Sequence, residues 1–201
     1  LTDATMGIDL GVKDLAIVAY GNLKLRYKNI NKTKRIKSLE KRKTRLQRAI
    51  SRKYRTNGNW EKTKNIEKLE AQLRKVCERI ANIRHNYLHQ TTHELTNLLP
   101  KEVIMEDLNV SGMMKNKHLS KAIAEQNFAE FIRQMQYKCE WLGIKFTQVD
   151  RFYPSSKKCS CCGEIKKDLK LSDRTYICPS CGAVIDRDYN AALNLMRYSV
   201  A

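Results

Sequence analysis

Four cysteines near the carboxyl end of the sequence form two C-x-x-C pairs. Cys159 and Cys162 make the first pair, Cys178 and Cys181 make the second, and fifteen residues separate the two pairs. This spacing is typical of a structural zinc site, in which four thiolates complete a tetrahedron and leave no position for a substrate water. Cys161 cannot form such a pair because it is adjacent to Cys162. The sequence therefore predicts Zn²⁺ held by these four thiolates.

Three carboxylates fall at positions where the surrounding pattern is apolar or helical. Asp9 lies in G-I-D-L-G, Glu106 in V-I-M-E-D-L, and Asp188 in D-R-D-Y-N-A-A. Each alone could be a turn residue, an edge-strand charge or a helix cap. A buried carboxylate without a partner costs roughly several kcal/mol. Three of them at two strand ends and a helix start predict a site of oxygen ligands suited to Mg²⁺ or Mn²⁺.

This acid set predicts a two-metal reaction at a phosphodiester. Two cations about 3.5 to 4 Å apart activate a water molecule and stabilise the leaving oxygen of an in-line displacement. We exclude Asp107 as a ligand because strand alternation turns it away from Glu106. Asp186, two residues before Asp188, is expected to support the site or to cap the final helix. The catalytic and metal-ligating residues predicted are thus Asp9, Glu106 and Asp188.

Short strands and helices must position these groups. Strand-like runs cover 5–10, 15–20 and 23–27, and the last two are joined at Gly21-Asn22, which predicts an antiparallel meander. Further strands are expected at 102–108 and 144–149, with a break at 109–112, a helix capped by Ser120 and ended by Gly143, and a final helix at 189–198. This order predicts an α/β fold with a mixed sheet and helices on its faces.

Two helices are predicted between the meander and the fourth strand. Apolar residues recur every three or four positions over 66–87, and a weaker series covers 36–50. Asn57-Gly58-Asn59 separates the two series, so they are expected to fold back as an antiparallel hairpin. His85, His89 and His93 share one side of the second helix. This spacing could bind a metal ion, but without a nearby carboxylate to complete a chelate we interpret it as a polar helix face.

Positive charge is concentrated in this helical segment. The chain has 39 Lys and Arg against 21 Asp and Glu, a net charge of +18, and 24–84 alone holds 22 basic and 5 acidic residues. Such an excess indicates a polyanionic partner, although a solvated helix face is the alternative. The nucleic-acid contacts predicted are Lys34, Arg35, Lys41, Arg42, Arg45, Arg48, Arg52, Lys53, Lys157 and Lys158.

Composition excludes several classes of protein. With 201 residues, 42% of them hydrophobic, the chain can build one globular core with a small appended module. Its longest apolar runs are about six residues, which is too short for a membrane span or a secretory signal. Seven cysteines, four of them in metal-type pairs, fit a reducing compartment. We therefore expect a cytoplasmic protein with no membrane partner and no small-molecule substrate; the oligomeric state is left open.

Five sequence blocks in fixed order resemble the TnpB proteins of bacterial insertion sequences. They are G-I-D-L-G-V-K-D-L-A, I-M-E-D-L-N-V, P-S-S-K-K-C-S-C-C-G, L-S-D-R-T-Y-I-C-P-S-C-G and D-R-D-Y-N-A-A-L-N. The TnpB family is related to the type V CRISPR effector nucleases and has a nuclease core of the RuvC, or RNase H-like, kind. The resemblance covers essentially the whole chain and implies that its three metal ligands are Asp9, Glu106 and Asp188.

The resemblance also implies a domain organisation. A RuvC-like core in three parts would cover 1–30, 101–153 and 184–201, with a basic helical hairpin inserted at 31–100 and a zinc ribbon at 154–183. Family members also carry N-terminal wedge and recognition domains that grip guide RNA and target DNA. This chain begins a few residues before the first nuclease strand, so we expect a C-terminal fragment or a truncated copy.

The function implied is a transposon-associated, metal-dependent DNA endonuclease, guided by RNA in the full-length protein. One alternative is a recombinase or resolvase of the same fold that cuts DNA by its structure, and the family blocks argue against it. Another is a regulator that binds nucleic acid without cleavage. The intact set of three acids argues against a regulator, because clustered carboxylates repel a polyanion.

Overall fold

The computed structural model describes residues 1–56, 62–170 and 172–198. The chain divides into two compact units: Leu1–Asn29 with the described part of Gln90–Ala201, and the described part of Ile30–His89. We describe each unit by itself. No helix within the described ranges has both the length and the apolar character needed to cross a membrane.

The first unit contains a five-stranded mixed sheet in the order β3-β2-β1-β4-β5. The antiparallel meander is formed by β1 (Thr5–Leu10), β2 (Asp14–Tyr20) and β3 (Leu23–Lys28). The strands β4 (Glu102–Glu106) and β5 (Lys145–Val149) continue the sheet in parallel with β1. The predicted meander and the predicted mixed sheet are confirmed.

Burial along the strands follows their place in the sheet. The interior strand β2 is buried over six of its seven residues, whereas the edge strand β3 alternates mostly between exposed and half-buried positions. Helix α6 (Arg187–Met196) packs against β1, β2 and β4, and its Ala192 shares a buried cluster with Ile17 and Ala19. This contact covers one face of the sheet near the predicted acids.

The remaining helices of this unit differ from the predicted ones. A short helix, α3 (Val110–Met114), occupies the predicted break and is capped by the Asn109 side chain. The single helix predicted after Ser120 is two, because α4 (Ser120–Gln126) and α5 (Phe128–Trp141) are separated by Asn127 in the left-handed conformation. Ser120 is not the cap; its hydroxyl donates to the Lys117 carbonyl at 3.3 Å. Gly143 follows α5 with φ +67°, as expected.

The second unit is built from the long helix α1 (Lys34–Thr56) and most of α2 (Lys64–Thr96). Residues near the start of α1 meet residues far along α2, since Arg84 pairs with Glu40 at 3.3 Å. At the other end, the Tyr54 hydroxyl donates to Glu70 at 3.0 Å. The helices are therefore antiparallel, as predicted, and the predicted turn at Asn57-Gly58-Asn59 lies outside the described residues.

The cysteine-bearing segment contains a small antiparallel pair that the sequence pattern did not predict. It consists of β6 (Thr175–Ile177) and β7 (Val184–Asp186). Tyr176 of β6 is fully buried and packs with Cys159 and Cys178. Helix α6 starts directly after β7, two residues earlier than predicted.

Candidate functional site

The predicted acids lie where two parallel strands end. β1 and β4 pair in parallel with Gly7 opposite Ile104. Gly7 faces α6, because a Cβ atom built on it would lie 2.1 Å from a carbonyl oxygen of that helix. Ile104 shares a buried cluster with the same helix. Because side chains alternate along a strand, Asp9 and Glu106 reach this face two residues farther on.

Asp188 joins them from the first turn of α6. All three acids line one pocket of about 410 Å³. Their oxygens are not all gathered within 4.8 Å of one another, in contrast to the four predicted zinc ligands, which are. The structure thus brings the three predicted carboxylates to one cavity, spread around its wall.

Basic side chains line the same pocket. Predicted Lys157 is among them, with Lys13, Lys170, Arg174 and Arg187. Lys158 is half-buried and does not line this pocket. A cavity with carboxylates in its wall and cations around them can hold metal ions and the phosphate oxygens of a polyanion at once.

Burial controls the protonation of two acids. Removal of Asp9 from water raises its pKa well above the usual range, and the Glu106 and Asp188 carboxylates add to that rise. Arg187 opposes it. Burial also raises the pKa of Glu106, while a hydrogen bond from Ser155 works in the other direction. Both acids are thus set in an environment that disfavours their charged form unless a cation is added.

The start of α6 is organised by the D-R-D sequence. Asp186 caps the helix by accepting from the Tyr189 N–H at 3.0 Å, as its predicted capping role requires. Arg187 donates to one carboxylate oxygen of Asp188 at 3.0 and 3.2 Å through two of its nitrogens. Asp188 is therefore inside the helix with one oxygen held, and it is not the helix cap.

Asp107 lies apart from the three acids. It follows the last residue of β4 and forms an ion pair with Arg151 at 2.7 Å. Asp107 does not line the acid pocket. This position agrees with the prediction that Asp107 is not a ligand of the divalent metal ion.

The four predicted zinc ligands form a compact cluster. Their sulfur atoms all lie within 4.8 Å of one another, with 3.7 Å between Cys159 and Cys181 and 3.5 Å between Cys162 and Cys178. Hydrogen bonds from the backbone N–H groups of Cys181 and Ser180 lower the pKa of Cys178 to about 6. A thiolate of this kind is the form that binds a soft or borderline metal ion.

Two buried asparagines connect the cysteine segment to α6. Asn190 and Asn194 lie one helical turn apart and are 0% and 3% exposed. Asn190 donates to the Lys158 carbonyl at 2.7 Å, and Asn194 donates to the Ser155 and Lys158 carbonyls at 2.7 and 2.6 Å. Sequence analysis did not single them out. The sequence does contain one signal that could have identified them, which is a pair of amide side chains at i and i+4 on the apolar side of a predicted helix.

Ser155 was also missed. Its hydroxyl donates to the Glu106 carboxylate, and its side chain lines the acid pocket. The residue is 3% exposed and precedes the first cysteine pair by only four positions. A single serine in a loop carries no sequence signal of such a contact, because its partner is 49 residues away.

The predicted nucleic-acid contacts on α1 form an exposed basic surface. All eight of these residues, from Lys34 to Lys53, are exposed, whereas Ile36 between them is buried against α2. Arg45, Arg48 and Arg52 line one shallow depression of this helix together with Arg55. The single acid of the run, Glu40, is already paired with Lys43 and Arg84. The rest of the positive charge faces solvent.

Two family descriptions match the chain. The family OrfB_IS605, described as "Probable transposase", matches residues 2–117. The domain described as "Cas12f1-like, TNB domain" matches 128–195. The first match spans more than half of the chain and includes two of the three acids, and the second includes the four cysteines and Asp188.

Similar proteins agree with these matches. A Streptomyces pristinaespiralis protein named "Putative RNA-guided DNA endonuclease" is 33% identical over 200 residues, covering 100% of this chain and 46% of that protein. The "CRISPR-associated endodeoxyribonuclease Cas12f1" of Sulfoacidibacillus thermotolerans is 30% identical over 200 residues, covering 94% of this chain and 44% of that protein. The chain thus spans about half the length of the curated relatives it matches.

A solved structure shares the fold. The cryo-EM structure of a Cas12f1-sgRNA-target DNA complex superposes with a TM-score of 0.67 at 20% identity, over 98% of this chain and 51% of that chain. Fold, acid pocket and sequence matches together define a protein of the insertion-sequence transposase class. The chain belongs to the TnpB family, as its resemblance predicted.

Proposed function

We propose that this chain is the catalytic core of a transposon-associated DNA endonuclease that depends on divalent metal ions. The observation that carries the proposal is the convergence of Asp9, Glu106 and Asp188 on one pocket from two strand ends and a helix start. Similar proteins are named as RNA-guided DNA endonucleases or as Cas12f1, and these names support the same activity.

We assign the five-stranded sheet and α6 to an RNase H-like, or RuvC-like, fold. The TM-score of 0.67 to a Cas12f1 structure supports this assignment. The core would comprise 1–30, 101–153 and 184–201, with the helical hairpin of 31–100 as an insertion and 154–183 as a zinc ribbon. The division of the chain into one unit with the sheet and one with α1 is compatible with an insertion.

The three carboxylates would hold Mg²⁺ or Mn²⁺. Their donor atoms are all oxygens, with no cysteine or histidine among the described residues that line the pocket, and this set favours hard cations. When bound, the cations supply activation of a water molecule and stabilisation of the leaving oxygen. The raised pKa values of Asp9 and Glu106 show that the protein alone does not fully stabilise their charged forms.

Other residues of the pocket have roles that need no metal. Arg187 holds one oxygen of Asp188 and leaves the other available. Lys13, Lys157, Lys170 and Arg174 would bind the phosphates on either side of the cleaved bond, because they line the cavity that the acids line. Without them, the three carboxylates would repel the backbone of the substrate.

Zn²⁺ would be held by Cys159, Cys162, Cys178 and Cys181 as a structural ion. All four positions are filled by thiols within 4.8 Å of one another, so no ligand position is free for a substrate. Cys161 is exposed and lies outside the cluster.

The exposed basic residues of α1 would contact the backbone of DNA or RNA. These contacts give affinity without sequence preference, so base pairing with a guide RNA would select the target. A protein of the length of the relatives would hold that guide, while this chain would supply the cut.

A cleavage assay with the chain and with any longer product of its gene tests the proposal. Each is given Mg²⁺ and a matched or mismatched guide RNA. We expect slow, unguided nicking of single strands by the chain, and guide-matched double-strand cleavage by a longer product. Efficient cutting of branched DNA without any guide would instead support a resolvase, and absence of cleavage in both would support the binding-only alternative.

A further inference from the structure

One six-residue segment, 155–160, is hydrogen-bonded to two buried side chains of α6. The Asn190 side chain donates to the Lys158 carbonyl and accepts from the Ser160 N–H at 3.0 Å. Asn194 donates to the carbonyls of Ser155 and Lys158. We call this pair of buried amides the asparagine clamp. Because Asn190 uses both its donor and its acceptor and Asn194 donates to two carbonyls, these buried amides favour one position of the segment on the helix.

The clamped segment supplies a contact to each of two sites. At its first residue, the Ser155 hydroxyl donates to the Glu106 carboxylate. Near its other end, Cys159 contributes its sulfur to the four-cysteine cluster. The helix that carries the clamp also carries Asp188, two residues before Asn190. The acid pocket and the cysteine cluster are therefore linked through a few buried hydrogen bonds.

We propose that Ser155 is a positioning residue that fixes the orientation of the Glu106 carboxylate, and that the asparagine clamp keeps Ser155 in place. The inference deepens the proposed function, since it rests on Glu106 as a ligand of the divalent cation. Glu106 is the last residue of β4, where the strand is still paired with Val149 of β5 but no longer with β1. A hydroxyl donated to one carboxylate oxygen selects one rotamer and leaves the second oxygen for a cation.

Mn²⁺ binding to the 201-residue chain, followed by electron paramagnetic resonance without nucleic acid, tests Ser155 directly. Ser155→Ala removes the hydroxyl and should weaken Mn²⁺ binding roughly ten- to a hundredfold, as loss of a hydrogen bond behind a metal ligand does. Ser155→Thr retains a hydroxyl and should restore most of the affinity. A threonine variant as weak as the alanine variant would show that packing orients Glu106, and would overturn the inference.

Ser160→Ala is the matched control. Ser160 lies on the same clamped segment and is 6% exposed, but its hydroxyl has no hydrogen-bond partner among the described residues. Its removal should leave Mn²⁺ affinity unchanged. One zinc per chain, measured by metal analysis in every variant, shows that the cysteine cluster is still formed. Loss of affinity in Ser160→Ala equal to that in Ser155→Ala would contradict a specific role for Ser155.

The clamp is tested by a double-mutant cycle. Asn194→Ala should weaken Mn²⁺ binding, and adding Ser155→Ala should then cause little further loss, because both act through the same contact to Glu106. Fully additive effects would overturn the role of the clamp. A separate result would refute the proposed function. If the Asp9→Ala variant binds Mn²⁺ as tightly as the unmutated chain, these acids do not form a metal site. Affinity lost in Asp9→Ala but retained in Ser155→Ala refutes only the positioning role.

Discussion

Gly7→Ala should displace the helix that carries Asp188. A Cβ atom at Gly7 would lie 2.1 Å from the Ala192 carbonyl oxygen and 2.3 Å from the Met196 nitrogen, and real Cβ contacts essentially never fall below 3.0 Å. Both atoms are backbone, so no side chain can rotate away. The helix must move from β1 by about 1 Å.

The expected cost has two parts. Overpacking of a buried contact destabilises a protein by roughly 1–3 kcal/mol. A misplacement of about 1 Å at a catalytic group lowers activity by roughly a hundredfold. Asp188 lies at the start of the displaced helix while Asp9 stays on the strand, so their relative position changes directly.

Thermal unfolding and metal-dependent DNA nicking measure the two parts. Gly143→Ala is the control, since its φ of +67° is strained for alanine but nothing lies within 4 Å of the added atom. This variant should lose roughly 1 kcal/mol of stability and keep its rate of nicking. A Gly7→Ala chain with the stability and activity of the unmutated protein would refute the close approach of α6 to β1.

Three other perturbations test the electrostatics and the metals. Asp9→Asn should raise the unfolding temperature of the metal-free chain at neutral pH. Folding raises the pKa of Asp9, so the unmutated chain loses stability as the pH rises from the pKa of Asp9 in the unfolded state through its pKa in the folded state. Unfolding temperatures with the same pH slope in both chains would contradict this. Metal analysis should find zinc retained in Cys161→Ser and lost in Cys178→Ser; zinc lost from the first variant would mean that Cys161 is a ligand. Glutamine at Arg45, Arg48 and Arg52 should flatten the slope of log affinity for DNA against log salt, and an unchanged slope would leave α1 as a solvated face.

Alternation along strands made much of the sheet and the acid pocket predictable. The runs around Asp9 and Glu106 are strand-like, and each acid breaks an apolar series at its carboxyl end. Because parallel strands end at the same edge, two such acids can be expected to meet once the mixed sheet is inferred. The cysteine cluster was predictable for a simpler reason, since its spacing alone defines the ligand set.

Local backbone geometry and non-local contacts account for the features that the sequence did not show. The left-handed conformation of Asn127, which divides α4 from α5, and the early start of α6 on the Asp186 cap depend on local backbone choices that periodicity does not resolve. The contact of Ser155 with Glu106 joins residues far apart in the chain. Gly7 is informative only once α6 is placed against it.

Nicking of single-stranded DNA by Glu106→Gln and Asp107→Asn, each in Mn²⁺, tests the central claim most directly. The two changes are chemically equivalent and adjacent in sequence, but only Glu106 lines the acid pocket, whereas Asp107 is paired with Arg151. Glu106→Gln should abolish metal-dependent nicking while DNA binding persists, and Asp107→Asn should retain it. Equal activity in the two variants would contradict the assignment of the acid pocket as the catalytic site.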